Sequence, residues 1–191
     1  MSEEHRYPNI LSVSGEGRNV GKTLLVCDII VKFSRMAPIT GIKITPHFHR
    51  DTGSAELVSS VDGVEVYRET DLKGSKDTSR MLAAGAEEAY FIQFSDDRFM
   101  EALNRIGKIV QPDTIMVCES GRLPATVKPG VSLFVRQLNC QTGKCGSKQP
   151  PPETDRIVTY SINSFDIDLN SISITNSIWK ISNNNENANA D

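Results

Sequence analysis

The chain has 191 residues, 38% hydrophobic, 24% charged and 6% aromatic, the make-up of one globular domain rather than a disordered or fibrous chain. Lys and Arg total 21 against 24 Asp and Glu, so the net charge of −3 offers no sequence-independent grip on nucleic acid or on an anionic membrane. No apolar run approaches the roughly 18 residues of a spanning helix, and Met1-Ser2-Glu3-Glu4-His5-Arg6 lacks the order of a secretory signal, so a cytoplasmic location is expected.

Residues 1–138 alternate short apolar runs with amphipathic stretches, the pattern of an α/β fold with a mostly parallel central sheet and helices on both faces. Asn9–Val13 reads as a strand, Gly21–Met36 as a helix and Ile39–Thr45 as the next strand. Val64–Glu69 is a further strand, and Asp77–Ala84 a short helix that Gly85 ends with positive φ. Ala89–Phe94, a helix over Asp96–Ile109, and the apolar strands Thr114–Cys118 and Val131–Arg136 complete the core. Residues 139–155, with Pro150-Pro151-Pro152, read as a loop, and residues 156–182 as a small β-rich C-terminal extension of the same domain. Its strands Arg156–Tyr160 and Ile172–Ile181, the latter turning at Thr175-Asn176-Ser177, suggest an antiparallel appendage at the sheet edge. The asparagine-rich tail 183–191 is expected to be disordered.

The strongest motif is Ser14-Gly15-Glu16-Gly17-Arg18-Asn19-Val20-Gly21-Lys22-Thr23, between a strand and an apolar helix. Glycines there let successive backbone N–H groups turn onto an anion at a helix N-terminus. Lys22 would neutralise β/γ-phosphate oxygens and Thr23 would hold Mg²⁺ through its hydroxyl. Glu16 occupies the position of the usual first glycine, with Gly15 and Gly17 on either side, so the loop reads as lengthened by one residue. The bland alternative is a glycine-rich turn without a ligand.

Phosphoryl chemistry needs a further acid for the metal. Glu119, just past the strand Thr114–Cys118 and before Ser120-Gly121, supplies it at the sheet edge where α/β ligands gather; otherwise it is a solvated strand end. Lys43, a charge within an apolar strand, either meets the γ-phosphate or an anionic substrate, or reaches from the edge to water.

These residues resemble a family. Ser14–Thr23 is similar to the phosphate loop of dethiobiotin synthetase and its relatives in the SIMIBI division of P-loop NTPases, where Lys43 and Glu119-Ser120-Gly121 match a catalytic lysine and a metal-binding Glu-Gly segment. Lys76-Asp77-Thr78-Ser79-Arg80 followed by Ala84-Gly85-Ala86, and Ile42-Lys43 followed by His47 and His49, resemble the molybdopterin-guanine-dinucleotide biosynthesis adaptor family, MobB. The resemblance covers about residues 8–136. Ser75, Ser79 and Met81 stand where that family has glycine, tryptophan and histidine, and Asp51–Glu69 looks inserted.

The resemblance implies Asp77 and Arg80 near the nucleotide, although Asp77 also suits a helix N-cap with Arg80 on the exposed side. It implies catalytic Lys22, Lys43 and Glu119; a nucleotide held by Gly15, Gly17, Asn19, Val20, Gly21, Lys22, Thr23, Asp77 and Arg80; and Mg²⁺ on Thr23 and Glu119. The expected activity is slow hydrolysis of ATP or GTP by an adaptor of a partner enzyme of cofactor biosynthesis, with a homodimer as a further partner state. Alternatives are an ATP-dependent ligase acting on a small carboxylate and a non-hydrolysing nucleotide sensor.

Weaker signals remain. His47 and His49 point the same way in an extended segment and, with Cys140 and Cys145, could make a zinc site, although surface histidines and free thiols fit equally simple readings. Cys27 and Cys118 read as buried thiols. Asp51–Glu69, with Glu56, Asp62, Glu65 and Glu69, reads as a solvated lid or hairpin beside the phosphate site. A base contact is expected near Val158-Thr159-Tyr160 or just after Arg136.

Overall fold

The structure, a computed structural model, describes residues 5–49, 52–95, 97–138 and 148–182. Chain order is Arg6–Gly15 (β1), Lys22–Phe33 (α1), Ile39–Thr45 (β2), Glu56–Val61 (β3), Val64–Arg68 (β4), Asp77–Ala83 (α2), Glu88–Phe94 (β5) and Phe99–Ile109 (α3). Ile115–Ser120 (β6), Leu123–Thr126 (α4), Lys128–Gln137 (β7), Arg156–Ser161 (β8), Ser164–Phe165 (β9), Ile172–Thr175 (β10) and Ile178–Ile181 (β11) follow.

Nine strands form one mixed sheet in the order β3-β4-β5-β2-β6-β1-β7-β8-β9. The six from β5 to β8 are parallel, and β4 and β9 join antiparallel at the two flanks. Strand side chains alternate between two apolar layers, as a pleat demands. Leu11, Val13 and Val117 meet α1 and α2, whereas Ile10, Met116 and Cys118 meet α3 and α4. Leu25, Val26, Ile29, Ile30 and Phe33 bury one stripe of α1, each contributing about 1.5–3 kcal/mol.

The C-terminal segment differs from an edge appendage. β8 extends the main sheet parallel to β7, and only β10 and β11 form a separate antiparallel pair. That hairpin turns through Asn176 and Ser177, both at positive φ, and packs β11 against β1 and β7. Its Trp179 is 1% exposed, meets the last residue of α1, Phe33, edge to face at 5.0 Å, and donates its indole N–H to the Met116 carbonyl at 3.0 Å. Burying so large a ring is the physical reason the hairpin leaves the edge for the sheet face.

The segment before β5 is a hairpin, β3–β4, that widens the sheet. Glu69 beyond it is not solvated: it is 5% exposed and its carboxylate accepts from the Thr70 and Asp71 amides and the Thr78 hydroxyl. Asp51, the tail 183–191, and Cys140 and Cys145 lie outside the described residues. No helix among the described residues is long and apolar enough to cross a membrane.

Candidate functional site

β1 ends at Gly15 and the chain reaches α1 through six residues, two of them in the left-handed region, Asn19 at φ 59° and Gly21 at φ 89°. Gly15 is required by space, since a Cβ there would lie 2.8 Å from the Val135 carbonyl oxygen. Val20 anchors the loop by burying its side chain in the α1 layer. Gly21 caps α1 without a side-chain hydrogen bond, and no acidic residue occupies the first turn. The helix therefore presents uncompensated N–H groups and the positive end of its dipole beside Lys22 and Thr23.

Glu16, the departure from the usual spacing, is 6% exposed and turned away from the loop interior. Its carboxylate accepts from the Gln137 amide at 2.7 Å and faces Arg136 at 3.7 Å, which ties the loop to the end of β7. Tyr160 on β8 closes the other side: a Cβ at Gly21 would stand 2.8 Å from its ring. That ring also stacks at 5.2 Å on Phe165 and donates to Asn163, so it props the loop.

Across the cleft, β2 and β6 pair in parallel with Lys43 directly beside Glu119. Glu119 lies within β6 rather than after it, because β1 and β2 extend the ladder on both sides as far as this residue, and it is 2% exposed. Lys43 Nζ forms an ion pair with Glu119 Oε1 and a second with Asp77 Oδ2 at 3.0 Å. The Thr23 hydroxyl lies 2.7 Å from Glu119 Oε2 and 3.0 Å from Asp77 Oδ1. Asp77 occupies the first turn of α2 but does not cap it: Lys76 is the cap residue, and the carboxylate is directed to Thr23 and Lys43. Lys22 Nζ donates to the Gly17 carbonyl.

Burial favours the neutral forms here, yet the charges hold. Although burial pushes Asp77 up, the Lys43 ammonium and the Thr23 hydrogen bond bring its carboxyl below the ordinary value. Lys43 is likewise opposed by burial and raised by Glu119 and Asp77. Lys22 is lowered, chiefly by burial and, beyond the opposing pull of Glu119, by Lys43. Burial raises the Cys27 thiol to about 11 and the Cys118 thiol further, so both are protonated at neutral pH.

The fit to a hard cation can be tested on this geometry. One hydroxyl proton on Thr23 serves two carboxylates, so one of the two short O···O contacts has no proton of its own. Two carboxylates and a hydroxyl are oxygen donors of the kind Mg²⁺ takes, with phosphates and waters completing its shell. Among the described residues no cluster of three or more His, Cys, Asp or Glu side chains forms, and His47 and His49 join no such cluster.

Lys22, Thr23, Lys43, Asp77, Glu119 and Tyr160 line one cleft of about 1160 Å³ at the C-terminal ends of the parallel strands. Arg18, Lys22, Lys43, Lys76, Arg80, Arg122 and Lys148 line it against only Glu69, Asp77 and Glu119, so an acidic chain carries a basic cleft. Among the residues expected at the site, Gly15, Gly17, Asn19, Gly21, Lys22, Thr23, Lys43, Asp77, Arg80 and Glu119 line the cleft, while Val20 serves it from the core. Phe91, Arg122 and Lys148 also line the cleft and were not expected there, and Lys76, which enters the sequence reading only as part of a motif, joins them; of the first three only Arg122, two residues past the end of β6, carried a local signal. No protein-family description, curated protein or solved structure matches the chain.

Proposed function

We propose that the chain is a Mg²⁺-dependent nucleoside triphosphate-binding protein of the P-loop kind that hydrolyses its ligand slowly. The observation that carries this reading is the Thr23 hydroxyl placed against both Glu119 and Asp77, one residue from Lys22 at an uncapped helix N-terminus. The β- and γ-phosphates rest on the N-terminus of α1, and Lys22 exchanges the Gly17 carbonyl for phosphate oxygens. Thr23, Glu119 and Asp77 hold the cation, which when bound neutralises phosphate charge. Lys43, which pairs with both of these carboxylates, would stand beside the γ-phosphate. An adaptor role of the MobB type in molybdenum cofactor metabolism, with a partner enzyme and a homodimer, rests on the resemblance of residues 8–136 alone.

Lys22→Ala is expected to abolish binding of ATP and GTP in calorimetric titrations with Mg²⁺. Unchanged affinity in that variant overturns the reading. In the wild type, a bound triphosphate at 100 times its Kd raises stability by about 2.7 kcal/mol, which a thermal-shift panel of ATP and GTP reads directly. A second reading, an ATP-dependent ligase acting on a small carboxylate, is favoured by the extent of the cleft, which continues past the phosphate loop to His47, His49 and Phe91.

A further inference from the structure

Four residues form one row across the α1 face of the sheet. Tyr67 on β4 pairs in register with Phe91 on β5, Phe91 with Lys43 on β2, and Lys43 with Glu119 on β6. Register partners on neighbouring strands project to the same side about 4.8 Å apart, so the ionic centre runs directly into an aromatic floor. Two residues lower on the same strands the face is closed, with Met81 of α2 packed on Gly41 and Ala89 fully buried. At Phe91 that cover ends: the ring is half-buried, lines the cleft and belongs to neither apolar layer.

The polar groups around this floor are engaged with one another. Gln93, 1% exposed, accepts from the His49 amide and donates to Glu65, each at 2.8 Å, and Tyr67 donates to the same Glu65 oxygen at 2.7 Å. This holds the His49 ring edge-on to Phe91 at 5.7 Å. What the floor offers a ligand is therefore ring surface, and what stands next to it is the Lys43 ammonium, in register and paired with Glu119 and Asp77, and the Arg80 guanidinium on the cleft side of α2.

We propose that this half of the cleft binds a second ligand, a small anion that carries a planar ring, with the ring on Phe91 beside His49 and the anionic group toward Lys43 and Arg80. The proposal deepens the reading above and rests on it only for the occupant of the other half, the triphosphate at the phosphate loop. An aromatic face adjoining a cation recognises a ring and its charge together, which neither triphosphate oxygens nor Mg²⁺ require.

The test is calorimetric titration of the protein, saturated with Mg²⁺ and a non-hydrolysable triphosphate, with phenyl phosphate and benzoate against inorganic phosphate and acetate. The ring-bearing anions are expected to bind about tenfold more tightly than their ringless counterparts, a preference that Phe91→Ala and Phe91→Leu, which keeps an apolar side chain without the ring, both reduce to about threefold or less. Tighter binding of phenyl phosphate or of benzoate identifies the anionic group as phosphate or carboxylate. Equal affinity for ring-bearing and ringless anions in the wild type overturns the proposal, as does a preference that survives both substitutions or phenyl phosphate displaced by the triphosphate. Titration of the ligand-free protein separates the two readings: ring preference without any triphosphate binding overturns only the nucleotide assignment.

Discussion

The helix α1 joins two ends of the molecule that are stabilised by opposite means. At its first turn, Lys22 and Thr23 meet a network of ammonium and carboxylate groups, much of it half-buried, on glycine-rich backbone. At its last residue, Phe33 meets Trp179 in a dry aromatic plug with one indole hydrogen bond. The plug gains from burial, the edge-to-face contact and that one hydrogen bond. The charged end retains desolvated groups and a hydroxyl proton divided between two acceptors, and its loop turns through left-handed backbone at Asn19 and Gly21. Charge and apolar packing are thereby separated along one helix.

The largest effect is expected from Trp179→Ala, which should cost about 3–5 kcal/mol in urea denaturation while leaving the triphosphate affinity of the folded protein in place. Loss of that affinity at temperatures where the variant is folded would show that the two ends are not separate. Glu119→Gln, nearly isosteric, should spare triphosphate binding but weaken the Mg²⁺ dependence and the turnover by at least about tenfold. Wild-type turnover in this variant would remove Glu119 from the site. Gly21→Ala places a Cβ at φ 89° and against the Tyr160 ring, and is expected to cost about 1–2 kcal/mol and to weaken phosphate binding, read by denaturation and titration together.

The smallest effect is that of acid on the carboxylates lining the cleft. Asp77 and Glu69 are both held below their ordinary values of 3.8 and 4.5, against the upward push of burial, by Lys43 and Thr23 in the first case and by backbone amides and the Thr78 and Ser79 hydroxyls in the second. A depressed folded pKa contributes stability above the unfolded value and loses it as pH falls through the folded one. Stability should therefore decline below pH 4.5, and Asp77→Asn combined with Glu69→Gln should flatten that decline in denaturation series taken at successive pH values.

The charged end was the more legible in sequence. The strand, glycine-rich loop and helix are contiguous, so their order over Ser14–Thr23 could be read from spacing alone, and Lys43 stood out as a charge in an apolar strand. Asp77 could not be separated from a helix cap, because what decides between them is contact with Thr23, 54 residues earlier. Of the hairpin β3–β4 only the second strand is expected from the sequence, within a segment that reads as a lid or hairpin; its turn at Asp62-Gly63, a pair that two-residue turns favour, was passed over, and its placement beside β5 depended on the fold. α4, four residues long, is too short to carry a period. The plug was illegible because Trp179 acts through Phe33 and Met116, remote in sequence, and an alternating strand looks the same at a sheet edge as on a sheet face.

Glu16 bears on how such a loop can be altered. The residue that breaks the usual glycine spacing is also the one whose carboxylate fastens the loop to the end of β7, beside the anchorage that Val20 and Tyr160 provide. Restoring glycine at this position would bring the sequence nearer to the common pattern and the structure further from it. For anyone transplanting this loop onto another scaffold, the portable unit is therefore not the ten residues Ser14–Thr23 but those ten together with the end of the neighbouring strand at Arg136 and Gln137.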